Sequence, residues 1–135
     1  MSAAAELQKL VLDHLLADPD VVALVGDRIY DGARADVVFP YIEFGPGDTV
    51  DDSAECVDVA EETLQLDIWT QLHGRLVQAR RISGAVRKSL KALSGPMPDP
   101  YAFAGVINVG SRVFDDPDGI SAHGVVTLTA RIEGE

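Results

Sequence analysis

Between Val59 and Leu93 the apolar period of the chain changes once, from two to between three and four, and this change constrains the fold most. Val59 to Leu72 alternates, with Leu64, Leu66 and Ile68 on one face against Thr63, Gln65, Asp67 and Trp69 on the other. That is the pattern of a strand covered on one side. From Arg75 to Leu93 the apolar residues Leu76, Ala79, Ile82, Val86, Leu90 and Leu93 recur at helical spacing. A long amphipathic helix therefore follows the strand, separated from it at His73-Gly74. Elements that each offer one apolar side bury them against one another as layers.

The rest of the chain supplies the other elements. Ala3 to Ala17 reads as a helix whose stripe is Leu7, Leu10, Val11 and Leu15 with His14 beside it, and Ser2 as its N-cap. Pro19 to Val25 reads as a short helical turn that Gly26 ends. Arg28-Ile29-Tyr30 is a short extended piece before a loop, Asp31 to Asp36. Val37 to Phe44 reads as a strand, placed at an edge or bulge by Pro40, which lacks a ladder donor. Gly45-Pro46-Gly47 ends it, and Asp48 to Asp58 is expected as an exposed, mobile acidic loop. After the long helix, Gly95 reads as its cap, and Pro96, Pro98 and Pro100 forbid continuation. Phe103 to Phe114 and Ile120 to Ile132 form a hairpin through the Pro117-Asp118-Gly119 turn. The expected fold is α+β: a mainly antiparallel four-stranded sheet with two principal helices packed on one face. A chain of 135 residues suits a single domain over 1–135 that needs neither disulfide nor metal to fold.

Charge narrows the function. Twenty-two acids against eleven bases give a formal charge of -11, which argues against a general binder of nucleic acid or anionic membrane. Residues 1–70 hold sixteen of the acids and only Lys9, Arg28 and Arg34 as bases, whereas 74–93 holds Arg75, Arg80, Arg81, Arg87, Lys88 and Lys91 with no acid. So bipolar a surface suits a meeting of like copies or of a charged partner, with a solvated basic helix as the plain alternative. Neither a basic leader nor a run of eighteen apolar residues occurs, so a soluble chain without a membrane span is expected.

Candidates for chemistry are weak. His14, His73 and His123 show no metal-ligand spacing, and the lone Cys56 reads as a bystander in an acidic loop. No Gly-x-Ser-x-Gly elbow nominates a serine. Asp51, Asp52, Glu55 and Asp58, like Asp115, Asp116 and Asp118, lack the ligand spacing of a calcium loop. Gly45-Pro46-Gly47 is followed by neither a lysine nor a helix, which removes it as a phosphate loop. No catalytic residue, metal or cofactor is expected.

Leu24-Val25-Gly26-Asp27-Arg28-Ile29-Tyr30-Asp31, then Phe39-Pro40-Tyr41-Ile42, then Leu66-Asp67-Ile68-Trp69 before a glycine and a long helix ending at Leu90, together resemble the tail completion family of siphophage-like particles. The likeness covers about Leu7 to Leu93. It implies a structural virion protein, not an enzyme: a homo-hexameric ring that closes the head-proximal end of the tail tube and meets tube and neck or stopper proteins. DNA would pass through its channel unbound, and an acidic lumen would suit that passage. Asp48, Asp51, Asp52 and Glu55, or Asp115 and Asp116, are the expected channel-facing acids. Arg75, Arg80, Arg81, Arg87 and Lys88 are expected to meet acids of the adjacent subunit. The motif positions Gly26, Arg28, Tyr30, Pro40, Tyr41 and Trp69 read as structural: an acid partner for Arg28, sheet-edge packing for the tyrosines, core volume for Trp69. Competing readings are a neighbouring stopper or head-completion protein, a small hydrolase using an acidic cluster with His73 or His123, and a free-standing regulatory module.

Overall fold

The computed structural model describes residues 2–33, 35–71 and 75–134. The expected break at His73-Gly74, the candidate base His73, the strand residue Leu72 and the base Arg34 lie outside the described residues. In chain order the elements are α1 (Ala3–Leu16), α2 (Pro19–Val25), β1 (Ile29–Tyr30), β2 (Tyr41–Asp51), β3 (Val59–Thr70), α3 (Val77–Lys91), β4 (Ala102–Asp115) and β5 (Ala122–Glu133). The strands form one sheet in the order β1-β2-β3-β5-β4. Every pairing is antiparallel except β1 with β2, which run parallel.

Helix ends follow local chemistry. The Ser2 hydroxyl accepts from the Ala5 N–H at the start of α1, and the Asp18 carboxylate accepts from the Asp20 N–H at the start of α2. Pro19 takes the first turn of α2, where its missing N–H costs nothing. Gly26 ends α2 with φ +61, a conformation that L side chains resist.

α1 and α3 cover one face of the sheet, and α2 packs against both helices. Leu7, Val11 and Leu15 of α1 and Ile82, Val86 and Leu90 of α3 meet Ile42 and Phe44 of β2, Leu64, Leu66 and Ile68 of β3, and Val126, Leu128 and Ile132 of β5. Each such side chain contributes about 1.5–3 kcal/mol on burial. Where α3 crosses β5, Gly124 lets it come close: a Cβ there would stand 2.5 Å from the Ser83 hydroxyl oxygen. The opposite face carries no helix.

The expected four-stranded, mainly antiparallel sheet with two principal helices is corrected to a five-stranded mixed sheet with three helices. β1 is two residues long, too short for alternation to register. Its parallel pairing is set by a crossover loop that carries no pattern of its own. The seven residues of α2 likewise form a full helix rather than an isolated turn.

Two smaller expectations change as well. β2 does not stop at Gly45: a bulge between Phe44 and Gly47 absorbs Gly45-Pro46, and pairing continues to Asp51 opposite Ala60. Pro40 lies just before the strand rather than within it. Gly95 does not cap α3. Ala92 is the cap, and the Ala92 and Leu93 N–H groups donate to the Ser89 and Leu90 carbonyls in a tightened last turn.

Candidate functional site

Three surfaces gather the side chains that could act on a partner. The first is α3. Its bases separate into two flanks, because residues seven apart share a helix side. Arg80 and Arg87 line a cleft against β4 together with Ser111 and Arg112. Lys88 and, one period earlier, Arg81 belong to the other flank, where Lys88 lines a groove with His14, Asp18, Asp20 and Ala92. Arg75 is exposed and precedes the helix. In that groove His14 Nε2 is 2.9 Å from the Ser89 carbonyl oxygen. The Ser89 hydroxyl beside Asp18, together with the Asp20 and Val21 N–H groups, holds the Asp18 carboxyl below its ordinary value.

The second surface is acidic and lies at both ends of the sheet. Asp48 and Asp51 sit on β2 itself, while Asp52 and Glu55 lie in the turn leading to β3. All four are exposed. Asp51 accepts from the Ser53 N–H at 2.9 Å, and the Ser53 hydroxyl and N–H lower its carboxyl from the usual range. Asp52 pairs with Arg131 at 3.0 Å. At the other end, Asp115 closes β4 and Asp116 begins the turn to β5, where Asp116 accepts from the Asp118 N–H. The Asp118 carboxylate accepts from the Ile120 and Ser121 N–H groups, and contact with Ser121 lowers it from its ordinary value.

The third surface is the helix-free face, where sequence reasoning missed a cluster. His123 Nε2 lies 2.7 Å from Asp67 Oδ1, and Gln65 donates to the same oxygen at 2.9 Å. Trp69 stacks on the His123 ring with centroids 4.0 Å apart, and Phe114 tilts against it from β4. Register explains the grouping: Trp69, His123 and Phe114 face one another across three strands. Trp69 thus lies outside the core, and its indole N–H has no hydrogen-bond partner. Only β-pairing brings these residues together, and no spacing in the chain announces it.

The remaining motif positions cluster at the β1–β2 corner. Arg28 Nε donates to the Pro40 carbonyl at 2.8 Å rather than to an acid. Tyr30 and Phe39 both tilt against Tyr41, at centroid distances of 6.0 and 5.2 Å. Gly26 approaches Arg28, whose guanidinium would be 3.3 Å from an added Cβ. Among the described residues no three His, Cys, Asp or Glu side chains come together as metal ligands, and no helix is long and apolar enough to cross a membrane.

This arrangement offers broad charged surfaces joined to a small rigid sheet, and the family model for tail completion protein gp17 matches residues 9–133. The chain belongs to that family. A tail completion protein is a structural component of a virion. The fold of this one is shared with a chain in the structure described as the virion of a native gene transfer agent particle, at TM-score 0.84 and 24% identity. That likeness covers 99% of this chain and 100% of the other. It is also similar to the gp17 protein of bacteriophage SPP1, at TM-score 0.56 and 18% identity over 98% and 91% of the two chains. No curated protein sequence matches it. In this tail completion protein the family-like Arg28, Pro40 and Tyr41 fix the parallel β1 against β2, which is the strand pair that the sequence pattern hid.

Proposed function

We propose that this tail completion protein caps the head-proximal end of a tail tube as a homo-hexameric ring, ends tube polymerisation and joins the tail to a neck or stopper protein. The observation that carries the reading is the fold shared over the whole chain with a subunit of a gene transfer agent virion. The surfaces support it: bases on two flanks of α3 on one side, exposed acids on β2 and at the strand ends on the others. In this reading Arg75, Arg80, Arg81, Arg87 and Lys88 meet acids of adjacent subunits. Asp48, Asp51, Asp52 and Glu55, or Asp115 and Asp116, face a channel through which DNA passes without specific binding. Acids there leave phosphates no cation to condense on, so sliding is not slowed. The protein acts through shared surfaces, with no catalytic group, cofactor or membrane contact.

Electron microscopy of particles assembled without the gene tests this. Tails of uncontrolled length, or full heads without tails, are expected. Particles of normal form and number would defeat it.

A further inference from the structure

The α3 flank that carries Arg80 and Arg87 stands over the edge strand β4, and the space between them is an open cleft of about 320 Å³. Arg80 and Arg87 line it from α3 and the segment Ser111-Arg112-Val113 from β4, and no carboxylate lines it. This happens in a chain with twice as many acids as bases. Neither Arg80 nor Arg87 forms an ion pair with a described residue; the Arg112 guanidinium lies over the Phe114 ring on the helix-free face, 5.0 Å from its centroid. Ser83, also in the lining, is 2% exposed, and its hydroxyl has no hydrogen-bond partner. At the rim, Gly84 exposes bare helix backbone, where a Cβ would meet nothing within 4 Å.

Each feature alone is unfavourable. Like charges repel, a buried hydroxyl without a partner loses its hydration, and glycine weakens a helix interior relative to alanine. One event relieves the first: entry of an anion whose oxygens accept from the Arg80 and Arg87 guanidinium forks. The bare backbone at Gly84 gives a bulky partner room to approach.

The chain itself carries a matching anion. Every residue from Pro46 to Asp58, along β2 and around the turn to β3, is exposed. Asp48, Glu55 and Asp58 form no ion pair with a described residue. Two valines, Val50 and Val57, stand 54% and 50% exposed among these acids. This hairpin leaves the sheet at the end where Val59 pairs with Glu133, whereas Arg112 lies towards the end where Asp115 pairs with Ala122. Cleft and hairpin therefore occupy opposite corners of one molecule and cannot meet within it. Two complementary but different surfaces on identical subunits make a head-to-tail contact, which closes into a ring when the rotation permits.

We propose that the acidic β2–β3 hairpin of one copy seats in the Arg80–Arg87 cleft of the next. This rests on the ring reading above and decides between its two acidic segments: the hairpin belongs to the neighbouring subunit, and Asp115 and Asp116 are left to the channel.

The exposed Cys56 in the hairpin turn provides the test. Ser111→Cys is introduced in the cleft, the full chain is assembled on tail tubes, and a short bis-maleimide is added. A ladder running up to the closed ring is expected, and Cys56→Ser should abolish it. Separately, Arg80→Glu with Arg87→Glu, and Asp51→Lys with Glu55→Lys, should each lower ring yield about tenfold or more at low salt, with both pairs in one chain restoring it. Rings seen by electron microscopy that do not cross-link would overturn this contact and leave the ring intact. Absence of rings from the unaltered protein would overturn the ring itself. Normal rings from Arg80→Glu, Arg87→Glu protein that has lost affinity for duplex DNA would make the cleft a phosphate site and overturn the proposal.

Discussion

Two glycine-to-alanine changes should move stability in opposite directions, and the difference lies in what each methyl group would touch. At Gly47 the added carbon would press into the Thr63 carbonyl oxygen, with Leu64 Cα at 3.7 Å beyond it. The obstacle is backbone of the neighbouring strand, so no rotamer change clears it. An ordinary carbon–oxygen contact needs about 3.3 Å, so β2 and β3 would have to part locally by about 1 Å. Gly47 lies where pairing resumes after the bulge, and the ladder from there to Asp51 would loosen with it. Overpacking of this kind costs about 1–3 kcal/mol. For a chain of this size that is a fall in Tm of about 3–12 °C. Gly84, within α3, has nothing within 4 Å of its would-be Cβ. Gly84→Ala should therefore raise stability by about 0.5–1 kcal/mol through helix propensity alone. Urea denaturation followed by circular dichroism reads both. Gly47→Ala within about 0.5 kcal/mol of the parent would refute the claim that β2 and β3 are paired beyond the bulge, since surface substitutions usually fall in that range.

Other outcomes follow from the same structure. Leu128→Ala, at a fully buried position of β5 between β3 and β4, should cost about 2–5 kcal/mol by the same denaturation, with collapse of the cavity deciding where in that range it falls. Asp18→Ala removes the α2 cap and should cost about 1 kcal/mol near neutral pH. Because the folded-state value of Asp18 lies below its ordinary 3.8, its stabilisation is fully present above that pH and is lost as pH falls through the folded value. The gap between parent and variant should thus stay constant down to about pH 4 and narrow below it; a gap that widens on acidification would contradict the direction assigned to Asp18.

Much of the architecture can be read from apolar periodicity, and the failures have physical causes. The stripes Leu7-Val11-Leu15 and Ala79-Ile82-Val86-Leu90 are all buried, as is the Leu64-Leu66-Ile68 face of β3. Periodicity works there because each element buries one continuous side. It fails at β1, whose two residues offer no period, and at β2, where Gly45-Pro46-Gly47 looks like a terminus but forms a bulge inside a longer strand. Among the candidate surfaces, the basic run on α3 is plain in the sequence. Its division is recoverable too, since Arg80 and Arg87 are seven apart, as are Arg81 and Lys88. The place of Arg112 is not: it is a solitary base on a distant strand, set over Phe114 on the helix-free face by the β4–β5 pairing. The Asp67–His123–Trp69 group is hidden for the same reason, because cross-strand neighbours are set by register rather than by local spacing.

The most direct measurement is the position and copy number of this chain on purified tails, read by cryo-electron microscopy of the tube ends. The proposed function predicts one ring of six subunits at the head-proximal end, each joined to the next through β2–β3 hairpin and arginine cleft. Density for the chain along the tube or at the distal tip, or a single copy standing alone at the joint, would contradict it.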